Sequence, residues 1–511
     1  MNLKPFLLCI AATLIAVPPA VADRQDDTLV AAFPREISTT DGLYNTRREN
    51  DILGLLIDDA LYYVDPETQE PVALSALSHE FVNDTTLVVT LRDDVTFHDG
   101  SLMTSADVVY SFNHILDETT ETRFHARIDR WLDSVEALDE RRVQFNMKYP
   151  YAMVLYDFAY YTKIRQEGSY EVDGVTVPDA QRELALGSGP YRVIEYIPGQ
   201  QVTLELYEGY REDSPKAVAS IRNITIRIIG DYATQAAEVM AGGVHWAFNV
   251  PTDIAENVGN TGRARFVAGP SMRVGYVALD AAGRSDPDGP MTDIRVRRAL
   301  NHAIDRQAIV DNIVRGSSGP LSTPCQPIQF GCDESAAVVY AYDPDLARSL
   351  LAEAGYADGF ELVLTASRDR DVMEALVGYW TAIGLDARLD YLRNVATPRN
   401  AGELMAFYGS SGSFSIPDAG AIMPDRFITD QQRVYTGDEA LSELVASTNS
   451  TYDQDLRKER FREAITRITD QAYWVPVHRY SQNFLLSNEI EYVQPEDGMP
   501  RLFMVRWQNA D

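Results

Sequence analysis

The stretch that most constrains the fold is residues 91–116, LRDDVTFHDGSLMTSADVVYSFNHIL, because it joins a strand pattern directly to a helix pattern. Alternation of apolar and polar residues predicts a half-buried strand through Leu87, Val89 and Leu91. A turn over residues 98–100 follows, and Thr104 or Ser105 can cap the next helix, with Asp107 at the capping-box position if Thr104 is the cap. The apolar face of that helix consists of Val108, Val109, Phe112, Ile115 and Leu116.

The first 22 residues are typical of a secretory signal peptide. Lys4 gives a short positive region, residues 6–17 form an apolar core, and Ala20-Val21-Ala22 is a cleavage site. The core is too short to span a bilayer, and Cys9 lies inside it without small residues before it, which favours cleavage over lipid attachment. We therefore expect a soluble protein that begins at Asp23 and resides in the periplasm.

The charge of the chain argues against nucleic acid as a partner. Its 511 residues include 45 Lys and Arg against 76 Asp and Glu, a formal net charge of −31 at pH 7. Such a chain repels the phosphate backbone and anionic membrane surfaces. The length implies two or three domains.

Two cysteines remain after the predicted cleavage, Cys325 and Cys332. In an exported protein a local disulfide is the favoured interpretation, and free thiols are the alternative. A metal site is not expected there, because no histidine lies close by in the sequence.

Later segments alternate between helix and strand patterns, which is typical of an α/β protein. Strands are predicted over residues 360–365 and 387–391, and a strand-like run covers 474–486. Residues 52–63 have a helical apolar period. Residues 408–420, YGSSGSFSIPDAG, predict a loop because they are rich in glycine and serine.

The strand–turn–helix stretch, with L-R-x-x-V-x-F-H-D-G followed by an S/T-x-x-D-V helix, resembles the signature of the family 5 solute-binding proteins of peptide and nickel ABC transporters. Four further blocks follow in the order found in that family. They are GSGPYRVIEYIPGQQVTLELYEGY (187–210), ATQAAEVMAGGVHWAFNVP (233–251), DIRVRRALNHAIDRQAIVDNIVRG (293–316) and YDPDLARSLLAEAGYADGF (342–360).

The resemblance implies an α/β fold, the bilobal type II clamshell of periplasmic binding proteins, with an extra inserted α/β domain. It also implies a monomer that delivers its ligand to an inner-membrane permease with ATPase subunits. The expected parts are a signal peptide (1–22), a discontinuous lobe I (23–52, 187–277 and 478–511), an inserted domain (53–186) and lobe II (278–477).

Enzyme motifs do not support a catalytic role. The sequence has no G-x-x-x-x-G-K-[ST], no H-E-x-x-H and no C-x-x-C motif, and only seven histidines. We expect His98 to make a structural hydrogen bond in its F-H-D-G turn. We therefore predict no catalytic residue, no metal and no cofactor, although an exported hydrolase with a dispersed carboxylate pair stays the main alternative class.

A binding role suits the 27 tyrosines and five tryptophans, since amphipathic rings favour a closed polar cleft. The aromatic candidates lie in irregular segments where the lobes are expected to join. They are Tyr44, Tyr161, Trp246, Phe248 and Tyr408.

The ligand class depends on the residues after Tyr408. The resemblance implies that peptide binders carry an acid three positions after an aromatic residue, to receive the α-amino group, but here that position is Ser411. Ser413 is a further candidate, and Asp418 can either substitute for the missing acid or serve a turn. A peptide or peptide-like ligand is expected first, an oligosaccharide or opine is the alternative, and nickel chelates are less favoured.

Overall fold

Three β-sheets of four or more strands form the framework of the protein. Its structure is a computed structural model, which describes residues 24–178, 180–216, 219–412, 415–429 and 432–508. In these ranges the strands are β1 (Thr28–Phe33), β2 (Tyr62–Val64), β3 (Pro71–Ala73), β4 (Ala76–Asn83), β5 (Thr86–Leu91), β6 (Leu132–Ala137), β7 (Arg142–Met147), β8 (Glu171–Val172), β9 (Val175–Thr176), β10 (Tyr191–Ile197), β11 (Gln201–Leu206), β12 (Asn223–Ile228), β13 (Trp246–Phe248), β14 (Ala264–Gly269), β15 (Arg273–Leu279), β16 (Gly319–Pro320), β17 (Glu361–Ala366), β18 (Asp386–Tyr391), β19 (Ala406–Gly412), β20 (Trp474–Arg479), β21 (Gln482–Ser487), β22 (Ile490–Glu491) and β23 (Arg506–Trp507).

The helices lie between these strands. The α-helices of the described residues are α1 (Arg48–Ile57), α2 (Ser105–Leu116), α3 (His125–Asp129), α4 (Val154–Tyr160), α5 (Tyr232–Ala241), α6 (Thr252–Gly259), α7 (Ile294–His302), α8 (Arg306–Ile309), α9 (Pro344–Glu353), α10 (Arg370–Ala382), α11 (Ala396–Ala401), α12 (Pro424–Phe427), α13 (Glu439–Thr448) and α14 (Gln454–Asp470).

The first sheet has seven strands in the order β10-β11-β12-β1-β13-β21-β14. Its strand β1 is parallel to β12 and β13 and is covered on both faces, which explains its continuous apolar sequence TLVAAF. Leu29, Ala31 and Phe33 pack with α1, whereas Val30 and Ala32 pack with α5 and α6.

The second sheet has six strands in the order β16-β20-β15-β19-β17-β18, with β17, β18 and β19 parallel. Helices α7, α9 and α10 cover one face, and α12, α13 and α14 cover the other. The predicted loop over 408–420 is wrong in its first part, because β19 is an internal strand. A Cβ atom at Gly409 would lie 2.6 Å from the Tyr276 ring, so the glycine makes room for a large neighbour within the sheet.

The chain crosses between these two sheets at residues 270–272 and again at 480–481. The predicted strand-like run 474–486 is therefore two strands, with β20 in the second sheet and β21 in the first. The predicted domain division stays a prediction, and β15 and β20 of the second sheet extend a few residues beyond its lobe II limits of 278 and 477.

The third sheet is antiparallel, in the order β4-β5-β7-β6, and packs on α2 and α4 around buried aromatic rings. Its strand β5 and the following helix confirm the predicted strand–turn–helix unit. Thr104 is the N-cap residue of α2, and its backbone N–H donates to Asp107 Oδ2 at 2.7 Å. His98 donates from Nε2 to the Gly189 carbonyl at 3.0 Å, which is the structural hydrogen bond expected for it.

A buried charge cluster joins the segment after α4, which packs on the third sheet, to the segments on either side of α1, which packs on the first sheet. The Arg165 guanidinium is ion-paired with Asp41 at 3.0 Å and with Asp58, and none of the three side chains is exposed. Lys216 Nζ pairs with Asp59 Oδ1 at 2.7 Å. The predicted helix over 52–63 is wrong after Ile57, because Asp58 and Asp59 enter this cluster and the chain continues as β2, paired with β3.

The predicted disulfide between Cys325 and Cys332 is confirmed, with Cα atoms 6.0 Å apart. Two glutamines hold the loop that it closes. Gln326 donates to the Ser271 and Arg273 carbonyls, and Gln329 donates to the Ile416 and Asp418 carbonyls.

We predict that Arg165→Met lowers the free energy of unfolding by about 3–5 kcal/mol, because two buried carboxylates lose their guanidinium. Urea denaturation measures this loss. The control is Arg348→Met, whose exposed pair with Asp345 should contribute less than about 0.5 kcal/mol. Equal losses in the two variants would contradict a structural role for the cluster.

We also predict that Gly187→Ala destabilises the protein by about 1–3 kcal/mol, since its Cβ would lie 1.8 Å from the Ile57 carbonyl oxygen and the backbone would have to shift. Gly378→Ala is the matched control. It lies inside α10 with no atom within 4 Å of the added Cβ, and should stabilise by about 0.5–1 kcal/mol. Thermal unfolding should therefore show a lower melting temperature for Gly187→Ala and a higher one for Gly378→Ala.

Candidate functional site

A cavity of about 320 Å³ lies where the parallel strands β17 and β18 end. The carboxyl ends of parallel strands in an open α/β sheet are the usual place for ligands. The segments after these strands contribute Ser367, Arg368 and Arg393, and β19 contributes residues 407–410. The cavity is hereafter called the arginine cavity, after the side chains described next.

Five arginines line the arginine cavity: Arg368, Arg393, Arg399, Arg426 and Arg433. Among the described lining residues there is neither an aspartate nor a glutamate. Burial lowers the pKa of the Arg399 guanidinium, and the positive charges of Arg426 and Arg433 lower it further. The cavity is therefore electropositive in a protein of strongly negative net charge.

Neutral groups orient these guanidiniums. Ser411 Oγ accepts from Arg426 Nε at 3.2 Å and from Nη2 at 3.0 Å, and Ser410 Oγ accepts from Arg368 Nη1 at 2.9 Å. Asn400 Oδ1 accepts from Nε and Nη2 of Arg399 at 3.2 and 3.1 Å. Because these acceptors are uncharged, they fix the arginines without cancelling their charge.

An aromatic pair forms another part of the cavity wall. The rings of Tyr276 and Trp474 are stacked, with centroids 3.4 Å apart and planes 4° apart. Both side chains are buried in the core of the second sheet, so this wall is held by the fold itself.

A second cavity, of about 280 Å³, lies between the two large sheets. Segments of the first sheet contribute Asn249 and Gln482 to its lining, and segments of the second sheet contribute Arg273 and Gly412. Tyr480, at a chain crossing, also lines it. A site lined from both sheets can respond to their relative position.

A tyrosine pair connects the two cavities. The hydroxyl of Tyr408, which lines the arginine cavity, lies 3.0 Å from the Tyr480 hydroxyl and 3.0 Å from His478 Nε2. Tyr480 donates to Asp369. Burial lowers the pKa of the His478 imidazole beside this pair.

Positive backbone φ angles occur at three non-glycine residues around this region. They are Asn249 (φ 62°), Asp369 (φ 52°) and Ser415 (φ 69°). Asn249 lines the second cavity, Asp369 accepts from Tyr480, and Ser415 Oγ accepts from Arg48 Nη1 at 3.1 Å. Such strained residues concentrate at binding and switch regions.

The structure brings together two of the predicted ligand-binding residues. Tyr408 lines the arginine cavity, and Ser411 is buried behind it as the acceptor for Arg426. Ser413 lies outside the described residues. The roles predicted for these positions stay predictions.

Asp418 lies elsewhere, beside a cavity of about 370 Å³ that Tyr156 and Phe330 also line. Its carboxylate pairs with Arg457 at 2.9 Å and accepts from the Gly420 N–H at 2.7 Å. Burial raises the pKa of Asp418, whereas Arg457 opposes the rise. The carboxylate already has a charged partner within the protein.

The other predicted aromatic residues are separated from Tyr408. The Tyr44 hydroxyl lies 2.6 Å from His114 Nε2. Tyr161 lies in the core of the third sheet, with the Arg127 guanidinium over its ring. Trp246 and Phe248 have no exposed surface and pack inside the first sheet. Their roles in ligand binding stay predictions.

The five arginines of the cavity were missed at the sequence level. They come from four separate segments between residues 368 and 433, so no local motif marks them. In the described part of the chain, no three or more His, Cys, Asp or Glu residues are grouped to hold a metal ion. Nor does any helix of that part have the length and apolar character needed to cross a membrane.

The family model and two relatives that this chain matches all concern binding proteins for solutes or peptides. Residues 70–431 match the family model described as bacterial extracellular solute-binding proteins, family 5 middle. The glutathione-binding protein GsiB of Pectobacterium atrosepticum is 25% identical over 299 residues, 58% of this chain and 54% of that protein. Di/tripeptide-binding protein 3 of Pseudomonas aeruginosa is 24% identical over 441 residues, covering 78% of this chain and 80% of that protein.

Solved structures share the fold. A dipeptide-binding protein from Pseudoalteromonas sp. SM9913, in complex with Met-Leu, has a TM-score of 0.79 at 18% identity. The match covers 94% of this chain and 100% of that chain. The likeness confirms the predicted fold class, the bilobal type II architecture of periplasmic binding proteins.

We predict that Asp418→Asn lowers the free energy of unfolding by about 3 kcal/mol, because Arg457 would be left buried without a carboxylate. Asp455→Asn is the control, since its side chain is exposed and pairs with exposed Lys458. Chemical denaturation measures both. A variant of Asp418 that keeps its stability but loses ligand affinity would instead make Asp418 a ligand group.

Proposed function

The chain belongs to the bacterial extracellular solute-binding proteins of family 5, and on that premise we propose that it captures a small polar solute for an ABC importer. The observation that carries the proposal is the pair of cavities, one at the strand ends of the second sheet and one lined from both sheets. Tyr408 and Tyr480 connect the two. The solute would be enclosed between the lobes and delivered to a membrane permease powered by a separate ATPase.

Peptides or peptide-like compounds are the first ligand class in this proposal. Relatives named for glutathione and for di- and tripeptides support it. Ser411 argues against a peptide held by its free amine, because a desolvated ammonium needs a charged partner. An oligosaccharide or an opine is the second class, favoured by this hydroxyl in place of a carboxylate.

The protein would work in the periplasm after cleavage before Asp23, as a monomer that does not alter its ligand chemically. The residues of the proposed signal peptide lie outside the described part of the chain. The inserted domain would lie at 53–186, between the first two segments of lobe I.

We predict that ligand binding contracts the protein, because a ligand shifts an open–closed balance only by favouring one form. A thermal-shift screen of peptides, sugars, opines and nickel chelates would first select the compound that stabilises the protein most. Small-angle scattering with that compound should then give a smaller radius of gyration. The compound should be recovered unchanged by mass spectrometry.

Two results would count against this prediction. An unchanged scattering profile at saturating compound would argue against closure of two lobes. Conversion of the compound into a product would favour the exported-hydrolase alternative.

A further inference from the structure

The arginines of the cavity are exposed or partly buried, and they differ from the buried arginines of the described chain in the groups that they face. Arg165, Arg457 and Arg501 are ion-paired with aspartates inside the protein. Arg297 donates to three backbone carbonyls, so its hydrogen bonds are also made within the fold. The cavity arginines instead line open space of about 320 Å³.

Three of them, Arg399, Arg426 and Arg433, are partly buried, and the positive charges of Arg426 and Arg433 lie close enough to act on the Arg399 guanidinium. Arg368 and Arg393 are more exposed and lie at the ends of β17 and β18. Grouped like charges repel one another, and partial burial strengthens that repulsion. An anion placed among them would remove the repulsion and gain several charge-assisted hydrogen bonds.

The serines of β19 contribute to the same arrangement. Ser411 holds Arg426 through Nε and Nη2, and Ser410 holds one nitrogen of Arg368, so both guanidiniums are positioned before a ligand arrives. Carboxylates at these positions would orient the arginines equally well but would neutralise them. Uncharged acceptors keep the positive charge available to a ligand.

We propose that the solute bound in the arginine cavity carries at least two anionic groups, carboxylate or phosphate, with Arg399 and Arg426 as its principal partners. This inference rests on the proposed function and names the substrate class of that site. A planar guanidinium binds either group through two parallel hydrogen bonds, so several arginines suit a solute with more than one such group. A free ammonium group finds no carboxylate among the described residues of the lining.

Matched probes test the substrate class. Tricarballylate, succinate and glycerol 3-phosphate are compared with succinamide, glycerol and the zwitterionic dipeptide Ala-Ala, by thermal shift and calorimetry on the mature protein. We expect tricarballylate or succinate, which carry two or more anionic groups, to bind, glycerol 3-phosphate with its single anionic group to bind more weakly, and the uncharged probes not to bind. Raising the salt concentration from 20 to 300 mM should weaken binding, because screening reduces partly exposed charge interactions.

Substitutions assign the binding to the cavity. Arg399→Gln and Arg426→Gln should each weaken binding of the best anionic probe at least about 30-fold. Ser411→Asp should weaken it similarly while keeping every arginine, because the new carboxylate would neutralise Arg426. Arg388→Gln is the matched control, an exposed arginine of β18 paired with Glu361, and should change affinity less than about twofold.

The melting temperatures of the unliganded variants show whether an arginine acts through its charge on a ligand or through a structural role in the fold. Because the cavity arginines repel one another, Arg399→Gln should leave the melting temperature unchanged or raise it. A large fall would mean that Arg399 has a structural role, and would overturn its assignment as a ligand partner. Ser411→Asp then tests the charge requirement with all five arginines present.

The outcomes distinguish the inference from the proposed function. If no anionic probe binds, or if uncharged probes bind equally well, the substrate class is overturned. If Ala-Ala or a sugar binds and contracts the scattering profile, the transport proposal stands without the anionic class. If an anionic probe binds through Arg399 and Arg426 but no contraction follows, the anion site stands and the two-lobe capture is overturned.

Discussion

The buried guanidinium of Arg165 is the interaction on which the relative placement of the parts depends. It binds Asp41 and Asp58, which flank α1, while Arg165 itself follows α4 of the third sheet's segment. Three charged groups without solvent contact are tolerated only when paired, so the two segments can meet in one register alone. The turn at Gly187 and Gly189 presses against the end of α1 at the same junction, and His98 of the signature turn hydrogen-bonds to it. The signature turn and the Gly187–Gly189 turn, which are distant in sequence, thus contact each other at the end of α1.

The molecule uses arginine in two distinct ways. Arg165, Arg457 and Arg501 are enclosed with aspartates and hold segments of the chain together. Arg426 and Arg368 are held by serine hydroxyls at the edge of an open cavity. The two groups differ in their hydrogen-bond acceptors. A carboxylate neutralises the charge of an arginine, whereas a hydroxyl accepts its hydrogen bond and leaves the positive charge in place. Counting charges along the chain does not separate these two groups.

Local patterns in the sequence predicted local structure well. The capped helix α2 and the disulfide depend on neighbouring residues, and both are present. The helix over 52–63 was predicted incorrectly after Ile57 and the loop over 408–420 in its first part, because a distant Arg165 and a distant Tyr276 decide those conformations. At the site, the family resemblance pointed to Tyr408 and Ser411. The arginines could not be found, since four separate segments meet only after the second sheet has formed.

Arg368 and Arg393 follow strands, Arg399 and Arg426 lie on the short helices α11 and α12, and Arg433 lies in a turn, so none of the five occupies a buried strand position. Their side chains can therefore change without disturbing the register of any sheet or the packing of its core. Such a division between a fixed scaffold and replaceable contacts makes specificity evolvable by single substitutions. It also makes the protein a suitable starting point for biosensors, in which the recognised compound is altered while the fold is kept.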